Sequence, residues 1–264
     1  RDAGGYPIVA KPDVGERGAG VAFPGSRDAL VRYLEAARGD VILQEHAPGL
    51  ELGVFYVRFP DEPRGRIISL TAKVLPALRG DGESTLERLI LDDPRAVCMA
   101  ARHLARFAAE LDRVPARGEV IRLVEVGTHS RGAVFLDAAF ARTPALERTI
   151  ERIARTVPGF HFGRFDVRVP SLRDLCAGRN VKVLELNGLT AEATHVYHPG
   201  TPLRDAYRVL LEQWRIAFEI GRRNRERGAR PATLRELARL LRHRSRVRAR
   251  ETAVAQAASH PRAA

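Results

Sequence analysis

Gly163-Arg164-Phe165-Asp166-Val167-Arg168 and Val183-Leu184-Glu185-Leu186-Asn187 are the two stretches from which this chain is read. Both have the apolar content of strands, and strand side chains alternate between faces with a period of two. Arg164 and Asp166 therefore share one face, and Glu185 and Asn187 share one face. As antiparallel neighbours the two strands would bring two carboxylates and an amide oxygen together, with a guanidinium beside them. Such an all-oxygen set suits Mg²⁺, a hard cation that leaves positions to phosphate and water. The same pattern also fits a polar strand surface that simply faces solvent.

Outward from this pair, the chain reads as strands and helices mixed without strict alternation, which predicts an α+β fold with antiparallel pairs. Residues 6–11 and 21–23 read as strands around a glycine-rich loop. Ser26 is placed to cap a helix, and strands follow at 41–45, 51–59 and 66–74. Ser84-Thr85-Leu86-Glu87 has the form of a capping box opening a helix through Ile90. A helix is expected over 94–111, strands over 120–126 and 133–137, a helix over 144–155, strands over 163–169 and 181–187, and a long helix over 202–223. A second capping box, Thr233 to Glu236, precedes a stripe of Leu234, Leu237, Leu240 and Leu241. The alanine-rich end is expected to fray.

The 264 residues are 45% hydrophobic, enough for a sizeable core and incompatible with disorder throughout. No apolar run reaches the roughly 20 residues of a membrane helix. The start Arg1-Asp2-Ala3-Gly4-Gly5 carries neither an apolar signal segment nor an initiator methionine, so a cytoplasmic fragment of a longer protein is expected. Cys98 and Cys176 lack the spacing of a disulfide framework or zinc knuckle. The net charge of +12 is concentrated at one end: residues 221–264 hold 13 Arg and 3 Glu, leaving 31 basic against 29 acidic residues before them. The expected division is a nearly neutral body over 1–220 and a basic, partly helical tail over 221–264. Only Lys11, Lys73 and Lys182 break the use of arginine as the cation, and a compact ammonium is not interchangeable with a guanidinium. Lys182 is expected on the face opposite Glu185, as an ordinary surface residue.

Two further segments carry chemistry. Lys11-Pro12-Asp13-Val14-Gly15-Glu16-Arg17-Gly18-Ala19-Gly20-Val21 combines cations with glycines that let backbone N–H groups approach phosphate oxygens, although a glycine-rich hairpin is also a common structural turn. It is not a Walker loop, since no GK[ST] precedes a helix. Leu43-Gln44-Glu45-His46-Ala47-Pro48-Gly49-Leu50-Glu51 ends one strand and begins another, and can offer backbone groups to a purine edge and a carboxylate to ribose, or serve as a plain surface turn.

In this order, a strand lysine before a glycine-rich hairpin, Gln-Glu-x-x-x-Gly-x-Glu, Gly-Arg-x-Asp and Glu-x-Asn, the chain resembles the ATP-grasp superfamily of carboxylate-amine ligases, notably D-alanine:D-alanine ligases. Residues 75–86 are similar to the corresponding region of cyanophycin synthetases. The resemblance covers about residues 5–200 and implies two α+β subdomains clasping ATP. It implies that Lys11 contacts the ATP phosphates, with Gly18, Ala19 and Gly20 as a lid over them. Gln44 would face the adenine amino group, backbone groups of Glu45 and Ala47 the adenine edge, and Glu51 the ribose. Lys73 would be a second phosphate contact. Asp166, Glu185 and Asn187 would hold two Mg²⁺ ions, with Mn²⁺ as an alternative, and Arg164 would stabilise the transferring phosphoryl group. His129 and Arg131, in the loop 127–132, are candidates for substrate or phosphate contact, or members of a locally bonded turn.

The implied reaction is attack of a carboxylate on the γ-phosphoryl group of ATP, giving an acyl phosphate that an amine then consumes. Small-molecule carboxylate and amine substrates would be the partners. After Asn187 the chain continues Gly188-Leu189-Thr190-Ala191-Glu192-Ala193-Thr194-His195, where D-alanine:D-alanine ligases have Ser-Pro-Gly, so the dipeptide substrate does not carry over. Two other classes remain open: a nucleotide-binding pseudoenzyme or kinase on the same fold, and nucleic-acid binding through the arginine-rich tail, which lacks aromatic residues for base stacking.

Overall fold

The computed structural model describes residues 5–14, 18–124, 127 and 132–242. Its centre is an antiparallel sheet of five strands in the order β7-β4-β3-β8-β9. The strands are β3 (Leu50–Val57), β4 (Arg66–Val74), β7 (Val134–Asp137), β8 (Phe162–Val169) and β9 (Lys182–Asn187). The chain is α+β, as the sequence predicts. Alternation along β8 separates Phe165, Val167 and Val169, each at most 1% exposed, from Arg164, Asp166 and Arg168 on the opposite face.

The apolar face is covered by α4 (Pro144–Arg155) and α5 (Leu172–Cys176). Thr143 caps α4 by accepting from Leu146 N–H, Pro144 occupies the first turn without losing a bond, and Arg152 and Arg155 complement the C-terminal dipole. Leu146, Ile150 and Ala154 recur at i, i+4 and i+8, so one stripe of the helix packs onto Leu52, Val54, Leu70, Phe165 and Val167. Glu151 fastens the edge of this layer: its carboxylate accepts from Tyr56 Oη at 2.6 Å, Gly65 N at 2.8 Å and Arg155 Nε at 2.6 Å.

At one end of the other face, Phe55, Val57 and Phe162 lie beneath Ile216 and Ile220 of α6 (Leu203–Glu226). The expected boundary at residue 220 falls inside this continuous helix. Arg223, beyond it, stacks on Phe59 at 4.4 Å and pairs with Asp61 at 2.6 Å. The remainder of this face carries charged and polar residues.

Two smaller units flank the sheet. The first pairs β1 (Ile8–Pro12) with β2 (Val41–Glu45) and carries α1 (Arg27–Ala36), capped by Ser26. The strand expected at 21–23 is reduced to one bridge, Ala10 with Ala22. The second unit pairs β5 (Ala77–Arg79) with β6 (Val120–Arg122) over α2 (Leu86–Asp92) and α3 (Ala100–Arg106), around Leu78, Leu86, Ile90 and Ile121. Here the N-cap is Thr85, one residue later than the expected Ser84, because Asp81 takes both the backbone N–H and the hydroxyl of Ser84. The helix expected over 94–111 is a 3-10 turn at Ala96–Met99 followed by the short α3. The second capping box forms reciprocally between Thr233 and Glu236, and the leucines of the following turn, Leu234, Leu237, Leu240 and Leu241, are exposed. No helix among the described residues is long and apolar enough to cross a membrane.

Candidate functional site

Antiparallel register assembles the charged face. Glu51 on β3 is opposite Lys73 on β4 and opposite Arg168 on β8, and Gly53 is opposite both Thr71 and Asp166. Across the next pair, Asp166 faces Glu185 and Arg164 faces Asn187. The antiparallel pairing proposed for the two decisive stretches therefore forms, with the two carboxylates directly opposed.

Within this frame the side chains make a continuous run of alternating charge. Arg168 reaches Glu51 Oε2 at 2.9 Å and the Ala47 carbonyl at 2.8 Å. Lys73 Nζ bridges Glu51 Oε1 at 3.1 Å and Asp166 Oδ2 at 2.9 Å, and Arg164 Nε binds Asp166 Oδ1 at 2.7 Å. All five side chains are largely buried, Lys73 and Asp166 most of all. Burial pushes the Asp166 carboxyl up, but the Lys73 charge and the Arg164 guanidinium outweigh it and hold the group below the usual carboxylate range. Charges withdrawn from water to this degree persist only when each has its counter-charge and hydrogen bonds.

Two glycines make room for this packing. A side chain at Gly53 would press on Arg164 Cδ at 3.0 Å, and one at Gly163 would meet the backbone oxygen of Asn187 at 2.3 Å. The glycine of Gly-Arg-x-Asp thus lets β9 lie close enough to set Asn187 beside Arg164.

On β9, Asn187 Nδ2 donates to Glu185 Oε1 at 2.7 Å, leaving the amide oxygen and the second carboxylate oxygen for other partners. Among the described residues no three His, Cys, Asp or Glu side chains converge as a metal cage. Asp166, Glu185 and the Asn187 amide nevertheless fit Mg²⁺ chemically: all donors are oxygen, and the shortfall in ligands is the kind that phosphate and water fill. A carboxylate has about four lone-pair sites, so the contacts from Lys73 and Arg164 leave Asp166 able to take a cation as well.

Lys182 corrects a prediction. A β-bulge between Asp166 and Val167 pairs them with Glu185 and Val183, leaving Leu184 as an extra residue in β9. That residue shifts the alternation, and Lys182 falls opposite Arg168 on the same charged face as Glu185. It pairs there with Glu45 of β2. Leu184 itself gives its carbonyl to Lys11 Nζ at 3.5 Å. Two lysines therefore tie the β1-β2 unit to the edge strand of the large sheet.

The structure brings Glu51, Lys73, Arg164, Asp166, Glu185 and Asn187 onto one face, and joins Lys11, Glu45 and Ala47 to it by the contacts above. Gln44 is on β2 opposite Val9. Gly18, Ala19 and Gly20 form a turn, in which Gly20 packs on Pro12 and its carbonyl accepts from Tyr33 Oη at 2.7 Å. His129 and Arg131 lie outside the described residues. The sequence motifs do not single out Arg168, although its place two residues after Asp166 puts it on the same face by the period-two rule.

The chain is similar to cyanophycin synthetase of Geminocystis herdmanii, 24% identical over 217 residues, an alignment covering 74% of this chain and 24% of the relative. Cyanophycin synthetase of a Synechocystis species matches at the same identity and coverage. The chain thus spans about a quarter of the length of these relatives. A bifunctional glutathione synthetase from Pasteurella multocida superposes with a TM-score of 0.43 at 18% identity, over 80% of this chain and 31% of that one. No family model matches.

Proposed function

We propose that this chain, related in sequence to cyanophycin synthetases, is the nucleotide-binding part of an ATP- and Mg²⁺-dependent ligase that joins a carboxylate to an amine through an acyl phosphate. The observation that carries this reading is the opposition of Asp166 to Glu185 and of Arg164 to Asn187 on one face, with Lys73 bound to Asp166. Asp166, Glu185 and Asn187 would hold Mg²⁺. Bound Mg²⁺ would supply charge neutralisation to the phosphates.

The protein's own groups position and stabilise. Lys11 and Lys73 are the ammonium groups for phosphate oxygens, and turn 18–20 covers them. Gln44, with backbone groups of Glu45 and Ala47, recognises adenine, and Glu51 recognises ribose. Arg164 stabilises negative charge on the transferring group in a site from which burial has removed much of the water. In this reading the body over residues 1–220 carries the nucleotide, and the substrates are small molecules.

Within α6, Arg215, Arg222 and Arg223 are engaged by Glu212, Glu219, Glu226 and Asp61, which disfavours these three as nucleic-acid phosphate contacts. ADP release screened across pairs of carboxylates and amines tests the ligase reading. Release that requires Mg²⁺, a carboxylate and an amine together supports it; ATP hydrolysis indifferent to every carboxylate contradicts it.

A further inference from the structure

Beyond Lys73, the charged face continues along β4 into a polar cluster that nucleotide binding does not use. Ser69, Thr71 and Lys73 are alternate residues of one strand and stand in a row. Ser69 and Thr71 are buried, their hydroxyl oxygens 3.5 Å apart. His195, in the 3-10 turn Thr194–Tyr197, sets Nδ1 2.7 Å from Ser69 Oγ. Asp137 on β7 is the register partner of Thr71, its charge acts on His195, and its backbone N–H donates to His198 Nδ1 at 3.1 Å. Among the described residues the buried hydroxyl of Thr194 has no partner; it lies 3.5 Å from the point where a side chain on Gly53 would begin, a point also 3.0 Å from Arg164 Cδ. The turn thus spans from the Arg164–Asp166 pair to Ser69.

We propose that Asp137, His195 and Ser69 form the subsite of the acceptor amine, with His195 Nε2 accepting the proton that the amine must lose. The assignment rests on the ligase reading above. An acceptor amine arrives as an ammonium ion and has no lone pair until it is deprotonated. Asp137 supplies the charge that attracts it. His195 Nδ1–H donates to Ser69 Oγ, whose own proton turns toward Thr71 Oγ1, and this leaves the Nε2 lone pair free. Nε2 has no hydrogen-bond partner among the described residues.

The surroundings favour a neutral imidazole. Burial lowers the His195 pKa, and Asp137 pulls weakly the other way. Among the described residues, β4 contributes the uncharged Ser69 and Thr71, β7 contributes Asp137, the turn's own segment contributes His198 and the Tyr197–Glu192 pair, and α6 contributes the neutral Gln213 through Ala193. In the step itself the ammonium gives one proton to Nε2 and its freed electron pair forms the C–N bond to the acyl carbon. The C–O bond to the phosphate oxygen breaks and its electron pair leaves on the phosphate, which takes up the second proton lost by the new amide nitrogen and departs as hydrogen phosphate.

Hydroxylamine is unprotonated at neutral pH and needs no such base, so it serves as the comparison probe. ADP release with hydroxylamine is measured against release with a panel of primary amines, in wild type and His195→Gln. The expected result is a fall of about 100-fold in the ratio of amine to hydroxylamine turnover, with Asp137→Asn raising the amine KM about tenfold through loss of one charge-assisted hydrogen bond. An unchanged ratio in His195→Gln overturns the base; absence of hydroxamate from wild type with every carboxylate overturns the ligase reading beneath it. Long-range ¹H–¹⁵N correlation spectra, with His195→Gln assigning the signal, give a readout independent of turnover. The Nδ1–H tautomer is expected, and an Nε2–H tautomer contradicts the proposal.

Discussion

The two faces of the five-stranded sheet are made by alternate residues of the same strands, yet they are stabilised in opposite ways. Leu52, Val54, Phe165 and Val167 bury against α4 with no polar atom to satisfy. On neighbouring residues of these strands, Glu51, Arg164, Asp166 and Arg168, joined by Lys73 of β4, form a charged layer whose members hold one another in place. A packed apolar layer tolerates loss in proportion to the volume removed. A buried charge layer does not, because deleting one member strands its neighbours. The comparison predicts that the apolar face governs stability alone, whereas the charged face couples stability to ligand binding.

The largest effect is expected at Lys73, whose ammonium serves two buried carboxylates. Lys73→Met should destabilise the fold by about 3–5 kcal/mol, the usual cost of breaking a buried ion pair by removing one partner, and should weaken nucleotide binding in whatever fraction stays folded. Urea midpoints at constant slope measure the first part. Lys73→Arg, which keeps the charge, should recover most of the stability and less of the binding. If Lys73→Met unfolds no more easily than wild type, the charged layer is not structural.

On the opposite face, Ile150→Ala should cost about 2–5 kcal/mol by opening a cavity beneath β3 and β8, with nucleotide affinity in the folded protein held within about twofold. A loss of affinity out of proportion to the unfolded fraction would break the separation of the faces. Glu185→Ala should behave in the opposite way. Its side chain is exposed on an edge strand, so stability should move by less than about 0.5 kcal/mol, while Mg²⁺-dependent binding falls.

The smallest effect concerns pH and belongs to Glu151 at the rim of the apolar layer. Burial works to raise this carboxyl, but hydrogen bonds from Tyr56, Gly65 and Arg155 hold it below its ordinary value of 4.5. Between the two values the unfolded chain binds more protons than the folded one, so stability rises with pH there. The contribution is complete above about pH 5 and is lost as pH falls through the depressed value. Glu151→Gln should flatten this part of the acid limb of a stability–pH curve; a limb as steep as wild type would assign it to other carboxylates.

Much of this contrast is legible in the sequence, because period-two alternation depends only on backbone geometry. The bounds of β2, β4 and α4 match those expected from apolar patterning and turn residues, and the shared face of Arg164 and Asp166 and that of Glu185 and Asn187 follow from the alternation directly. Lys182 does not, since one extra residue at Leu184 reverses the face of everything before it, and a bulge leaves no mark in a run of apolar residues. Ser84 has the form of a cap because the motif is local, whereas Asp81 competes for it in the folded turn. The contact of Ser69 with His195 joins residues 126 positions apart. No spacing rule reaches that far, and only β4, β7 and the turn after β9 packing together create it.

In the proposed function the Asp166–Glu185–Asn187 face holds Mg²⁺ together with ATP. Titration calorimetry of ATP into wild type, Glu185→Ala and Asn187→Ala, each with Mg²⁺ and with chelator, tests it most directly. Wild-type binding should require Mg²⁺ and weaken about tenfold or more in either variant, with unfolding midpoints unchanged. Wild-type binding of ATP that is indifferent to both the metal and the two substitutions would contradict it.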